Sequence, residues 1–158
     1  MGASDYIKNL RSKLGSNELL LLPGVCALIF NDKNEPLLQR RSDTGKWAVI
    51  GGMLDPGEEP AQAVIREVRE ECGVEVEPLR ISGVYSTPII TYPNGDRAQF
   101  VITTFVCRIV SGTPHVADDE SLDVRYFPLD ALPELRPNHL KRIMDAVKNS
   151  DRACFELP

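Results

Sequence analysis

The stretch that decides the reading runs Gly52-Met-Leu-Asp-Pro-Gly-Glu58-Glu59-Pro60-Ala61-Gln-Ala-Val64-Ile65-Arg66-Glu67-Val68-Arg69-Glu70-Glu71-Cys72-Gly73-Val74. Pro60 suits a first helical turn, where the missing N–H has no partner to lose. Glu58 and Glu59 sit at the positive end of the helix dipole, and Gly73 can adopt the left-handed conformation that ends a helix. Ala61, Val64, Ile65, Val68 and Cys72 recur at helical spacing and trace an apolar stripe. Glu67, Glu70 and Glu71 stand at i, i+3 and i+4, on one face. On a helical wheel the two stripes fall on different sides, so the apolar face is expected in the core and the acidic face in a cleft. Carboxylates that close repel one another unless a cation lies among them.

Outward from this helix the chain alternates strands and turns. A first helix is expected within residues 1–18, capped by Ser4, carrying Tyr6, Ile7, Leu10 and Leu14 at helical spacing, and stopped at Gly15. Covering the core is its simplest role, with a dimer contact or a lid as the alternatives. Val25 to Phe30 reads as a buried strand closed by the turn Asn31-Asp32-Lys33-Asn34, with Pro36 to Arg40 as its hairpin partner. Trp47 to Ile50 is a short strand leading into Gly51-Gly52. Val74 to Val76 and an extended stretch from Leu79 to Thr91 follow. Asn94-Gly95 is a hairpin turn, Phe100 to Val110 the returning strand, and Arg125 to Pro128 a last short strand. Pro137 opens a final helix over 137–149, with Leu140, Ile143, Met144 and Val147 at helical spacing. Strands flanked by helices early, middle and late imply an α/β protein, an α/β/α sandwich on a mixed β-sheet.

A chain of 158 residues, 42% hydrophobic and 26% charged, suits one globular domain over 1–158 with a full core. No window approaches the length of a membrane span and no signal peptide opens the chain, so a cytoplasmic protein is expected. The net charge of -5 argues against a nucleic-acid surface. Cys26, Cys72, Cys107 and Cys154 form no CxxC pair, and reduced packing cysteines are expected.

Gly52, Glu58, Arg66, Glu67, Val68, Glu70, Glu71, Gly73 and Val74 fill every fixed position of the Nudix box, so the chain resembles the Nudix hydrolase family over 52–74, with similar element order from about 20 to 132. The resemblance implies a Nudix-type α/β/α sandwich that hydrolyses a nucleoside diphosphate linked to another group. It implies Glu67 and Glu71 as principal metal ligands, Glu70 as a further ligand and the Gly52 carbonyl completing the shell. Arg66 would orient the glutamates, with Glu58 as its ion-pair partner. Oxygen-only ligands select a hard cation, Mg²⁺ or Mn²⁺. Asp118-Asp119-Glu120 resembles the place of a catalytic base, and Glu120 is the choice there. Members of the family are often dimers, so a homodimer fits the resemblance.

The box reports the reaction rather than the leaving group. Arg40 and Arg41 could clamp phosphates, and strand alternation lets only one of them face the cleft. Trp47 could stack on a base or ribose. Tyr85, Tyr92 and Arg97 lie near the long hairpin, where a distal substrate group could reach them. Pro88 and Tyr92 fall near positions that resemble substrate markers of ADP-ribose-cleaving and dinucleoside polyphosphate-cleaving members. ADP-ribose or a similar small nucleotide is the leading expectation. The alternatives are an oxidised or ordinary nucleoside triphosphate cut to release pyrophosphate, and a non-catalytic ligand sensor. Sensors often lose box carboxylates, and this chain keeps them all. Glu71→Gln is expected to keep the fold, its face lying outside the core, and to lose metal-dependent turnover.

Overall fold

Strand β1 (Leu19–Ile29) is buried on both faces along its second half, and this sets the layers. Val25, Ala27 and Ile29 point into one core cluster with Ala63, Val64, Val68 and Cys72 of helix α2 (Pro60–Cys72). Cys26 and Leu28 point into another with Ile143 and Ala146 of helix α3 (Pro137–Val147). A strand whose alternate residues meet two different helices forces a helix–sheet–helix stack. The structure, a computed structural model, describes residues 5–14, 17–148 and 151–157. The Ser4 cap, the Gly15 stop and the end of the last helix at 149 lie outside the described residues.

The remaining strands are β2 (Leu37–Arg41), β3 (Trp47–Ala48), β4 (Glu75–Ser86), β5 (Ile90–Thr91), β6 (Arg97–Ser111) and β7 (Ser121–Tyr126). The central β6 pairs parallel with β1 and antiparallel with β4 and β5. A second sheet runs β3-β2-β7, antiparallel throughout. The sheet is therefore mixed, as the sequence implies. The turn before β6 forms as read: Gly95 has φ 86° and its N–H donates to the Tyr92 carbonyl at 2.9 Å.

Two strand assignments are corrected. Pro36 to Arg40 is not the ladder partner of β1; the two meet only in the bridge Phe30–Pro36. One edge of β1 is taken by β6, and the other bridges Ile50 and Met53 on either side of the Gly51-Gly52 turn. β2 pairs with β3 and β7 instead, through a register shift between Arg40 and Arg41. β7 starts at Ser121 rather than Arg125, because that shift brings Ser121 opposite Arg41.

Helix α2 begins and ends where its punctuation places it. Glu59 precedes it in an extended conformation with its N–H on the Gln62 side chain at 2.9 Å, and Gly73 closes it at φ 65°. Its buried face is rotated from the expected one. Ala61 is exposed, while Ala63, Val64, Glu67, Val68, Glu71 and Cys72 are buried. Each of the two fully buried valines contributes about 1.5–3 kcal/mol.

Helix α1 (Asp5–Leu14) lays Ile7 and Leu10 on Leu20, Leu22 and Ala98. Arg11 ties it down by donating to the carbonyls of Glu18 and Arg97, both at 2.6 Å. The helix covers a satellite of the core, its simplest expected role. Among the described residues no helix is long and apolar enough to cross a membrane. All four cysteines are free, and Cys26, Cys72 and Cys107 are buried.

Candidate active site

Helix α2 places its carboxylates beneath the Gly51-Gly52 turn. Glu67 and Glu71 are 5% and 3% exposed, so the acidic face belongs to the interior; only Glu70 reaches toward solvent. This corrects the expectation that Glu71 lies off the core. The turn makes the burial possible. Glycine is required at 52, where a Cβ would fall inside the Glu67 carboxylate, and at 51, where φ is 149° and a Cβ would strike the Val25 carbonyl.

Each buried carboxylate has its own tether. Arg66 reaches four groups: both oxygens of Glu58 at 2.8 and 2.9 Å, Glu67 Oε1 at 2.8 Å, Glu70 Oε2 at 3.2 Å and the Met53 carbonyl at 3.0 Å. The fork of the guanidinium suits this sharing. Glu58, expected as its partner, is that partner, and Arg66 holds its carboxyl below the usual range. On the other side Glu71 Oε2 accepts from Gln39 Nε2 at 2.9 Å and from the Gly51 N–H at 3.1 Å. Gln39 in turn accepts from Ser121 Oγ at 2.6 Å.

Charge is held here against its preference. Burial raises the Glu67 carboxyl, opposed by Arg66. Burial pushes Glu71 up to about 7, with the Glu67 charge adding to it and the Gln39 hydrogen bond opposing it. Two desolvated carboxylates one turn apart, each raised, form a hard-oxygen donor set that an added divalent cation would relieve. Among the described residues no three acidic, histidine or cysteine side chains already converge in a cage. Glu70, the third expected ligand, is turned to Arg66. The Gly52 carbonyl accepts from the Val25 N–H at 2.9 Å, which leaves it one lone pair.

The loop ahead of β7 crosses the end of α2. The N–H groups of His115 and Ala117 donate to the Cys72 and Glu71 carbonyls, which a helix end leaves without intrahelical partners. This brings Asp118-Asp119-Glu120 to the Glu71 end of the helix. Asp118 accepts from the backbone N–H groups of Glu120 and Ser121 and so shapes the loop. Half-buried Glu120 lies one residue from Ser121, and its carbonyl accepts from the Ser42 N–H.

Arg40 and Arg41 part as alternation requires. Arg40 turns outward to the Gly45 carbonyl. Arg41 shares the Gln39 side of β2, forms a two-point pair with Asp43, and lies within electrostatic range of Glu71 and Tyr92. Trp47 is packed: the Phe127 ring meets it edge-on at 4.6 Å, and the Arg125 guanidinium lies over it at 5.0 Å. That geometry favours a packing role over stacking on substrate. Tyr85 is likewise buried, its hydroxyl donating to Asp145 at 2.9 Å. Gln39 and Ser121 escaped the sequence reading. Neither carries a signal in the sequence: each is a single polar residue in a short strand, and only the structure shows it buried.

A family model for the NUDIX domain matches residues 20–147. Over 149 residues the chain is 30% identical to an ADP-ribose pyrophosphatase of Methanocaldococcus jannaschii, covering 90% of this chain and 85% of that protein. It is 36% identical over 117 residues to an NAD-capped RNA hydrolase, NudC, of Pseudomonas aeruginosa, covering 73% of this chain and 39% of the relative. Among solved structures, a MutT NUDIX hydrolase from Burkholderia pseudomallei superposes with a TM-score of 0.69 at 28% identity, covering 80% of this chain and 98% of that one.

Proposed function

The chain belongs to the NUDIX-domain family of pyrophosphatase hydrolases, and from that premise we propose that it cleaves ADP-ribose or a similar nucleoside diphosphate derivative with a divalent cation. The observation that carries the reading is the buried Glu67/Glu71 pair, tethered by Arg66 on one side and Gln39 on the other. Likeness to the Methanocaldococcus jannaschii ADP-ribose pyrophosphatase over most of both chains supports the substrate.

In this proposal Glu67 and Glu71, with Glu70 and the Gly52 carbonyl, hold Mg²⁺, or Mn²⁺ in its place. Such an ion, when bound, neutralises pyrophosphate oxygens and makes water more acidic. The chain's own groups do the rest. Arg66 fixes Glu67, and Gln39 with the Gly51 N–H fixes Glu71, so these two ligands stay in place as charge develops, while Glu70 would turn from Arg66 to join them. Arg41, on the Glu71 side of β2, is the arginine suited to a phosphate oxygen. Glu120 is the proposed base, taking the proton of the attacking water on its carboxylate.

The test is chromatographic identification of products over ADP-ribose, NADH, sugar nucleotides, dinucleoside polyphosphates, and normal and oxidised nucleoside triphosphates with Mg²⁺. AMP and ribose 5-phosphate from ADP-ribose, formed well ahead of other products, would support the proposal. Pyrophosphate release from a triphosphate as the dominant reaction would replace its substrate half. Glu71→Gln, run in parallel, should lose turnover about a thousandfold.

A further inference from the structure

On the α3 side of the sheet, away from helix α2, lies a cavity of about 330 Å³ lined by Tyr85, Ser86, Asn138, Lys141, Arg142 and Glu156 among others. That is the size of the smaller small-molecule sites. Arg142 is 4% exposed; its guanidinium lies beside the buried Cys26 thiol and near His139, neither of which is an anion, and among the described residues its Nε and Nη2 meet no hydrogen-bond acceptor in good geometry. A guanidinium is always charged, and leaving one desolvated without a counter-ion is strongly unfavourable.

The buried carboxylate of the same helix, Asp145, is already committed. Asp145 accepts from Tyr85 at 2.9 Å, Lys141 at 3.1 Å and Lys148 at 3.0 Å. Arg142 lies instead over the Tyr85 ring at 5.7 Å, and Lys141 lies at the same distance from that ring. Two cations thus converge on one phenol at the cavity wall. With low-dielectric walls around it, an uncompensated charge projects its field into the cavity it lines. The acid at the rim, Glu156, stands 3.6 Å from Lys141 and is itself exposed. A surface contact of that kind is weak and readily exchanged for a stronger anion.

We propose that this cavity binds a phosphate group, free or as the phosphomonoester of a small sugar, with Lys141 and Arg142 as its cationic contacts and Glu156 as the carboxylate the ligand displaces. The site shares no residue with the glutamate cluster and does not depend on the substrate assigned there.

The test is amide NMR of the full chain in divalent-free buffer, titrated with inorganic phosphate and, separately, with ribose 5-phosphate. The Ser86 and Asn138 amides should shift and saturate. Lys141→Glu should weaken binding about tenfold or more, by turning a charge-assisted contact into repulsion. Glu156→Gln should tighten it about two- to fivefold. Response to both titrants means that phosphate suffices; response to the sugar phosphate alone means that the sugar is read as well. The proposal is overturned if neither titrant moves those amides, or if Lys141→Glu leaves the titration unchanged. Arg142 is buried too deeply for its replacement to be a clean test, whereas the half-exposed Lys141 leaves Lys148 in place on Asp145.

Discussion

Gln39 and Glu71 meet through a 2.9 Å hydrogen bond between strand β2 and helix α2, and Gln39 accepts from Ser121 of β7 at its other end. The amide is thus a spacer that fixes the carboxylate against the sheet. Gln39→Met, similar in volume, removes the spacer and leaves both neighbours short of a partner. Stability should fall by about 1–3 kcal/mol, and Mn²⁺ affinity, read from the free-ion EPR signal, by about 10- to 100-fold. Unchanged Mn²⁺ affinity would mean that the hydrogen bond does not hold Glu71 for the metal.

Arg66 should resist its most conservative replacement. Arg66→Lys offers one ammonium to acceptors lying in four directions, so Glu58 and Glu67 cannot both be served. Urea unfolding should show a loss of about 2–4 kcal/mol, and kcat/KM should drop about 10- to 100-fold. Equal loss of both in a Glu58→Gln variant would place the effect in the Arg66–Glu58 pair.

Gly52→Ala tests the close approach of turn and helix. A methyl there would displace the Glu67 carboxylate, which Arg66 pins from the other side. The cost in stability should be about 1–3 kcal/mol. Metal-dependent turnover should fall far more than that loss explains at a temperature where the variant is fully folded. A variant folded and fully active would show that Glu67 has room to move.

His139 carries a pH signature. Its Nδ1 accepts from the Val49 N–H at 3.1 Å, and burial, with Arg142, Arg136 and Arg41 nearby, lowers its pKa to about 4. The unfolded chain, at about 6.5, binds the extra proton first. Stability from this group is therefore complete above pH 6.5 and is lost as pH falls toward 4, by up to about 3 kcal/mol. Glu71, with its pKa raised, has the opposite slope, so the informative quantity is a difference. His139→Asn keeps an acceptor for Val49 without titrating. The gap in unfolding free energy between wild type and variant should move in the variant's favour from pH 7 to pH 4.5. A constant gap would remove His139 as its source.

Local chemistry made α2 legible: Pro60 and Gly73 mark its ends, and the glutamate spacing marks its working face. The Asn94-Gly95 turn was legible for the same reason. The partner of β1 was not, because parallel pairing with β6 leaves no turn signal, while the nearby Asn31–Asn34 turn suggests a hairpin that the glycine turn prevents. The helical wheel set acids and apolar residues on different sides, whereas the buried face is turned toward the acids, taking in Glu67 and Glu71 and leaving Ala61 exposed. That depends on the Gly51-Gly52 backbone lying on Glu67 and Glu71, a contact between segments. Gln39 went unseen because one polar residue in a short strand has no periodicity to break.

The link from Gln39 to Ser121 joins residues 82 positions apart. A chain leaving the ribosome therefore carries Glu71 and its direct partners Gln39 and Gly51 well before it carries Ser121, which anchors Gln39. The Gln39 amide, and through it the setting of Glu71, is thus completed only once the chain has grown past Ser121.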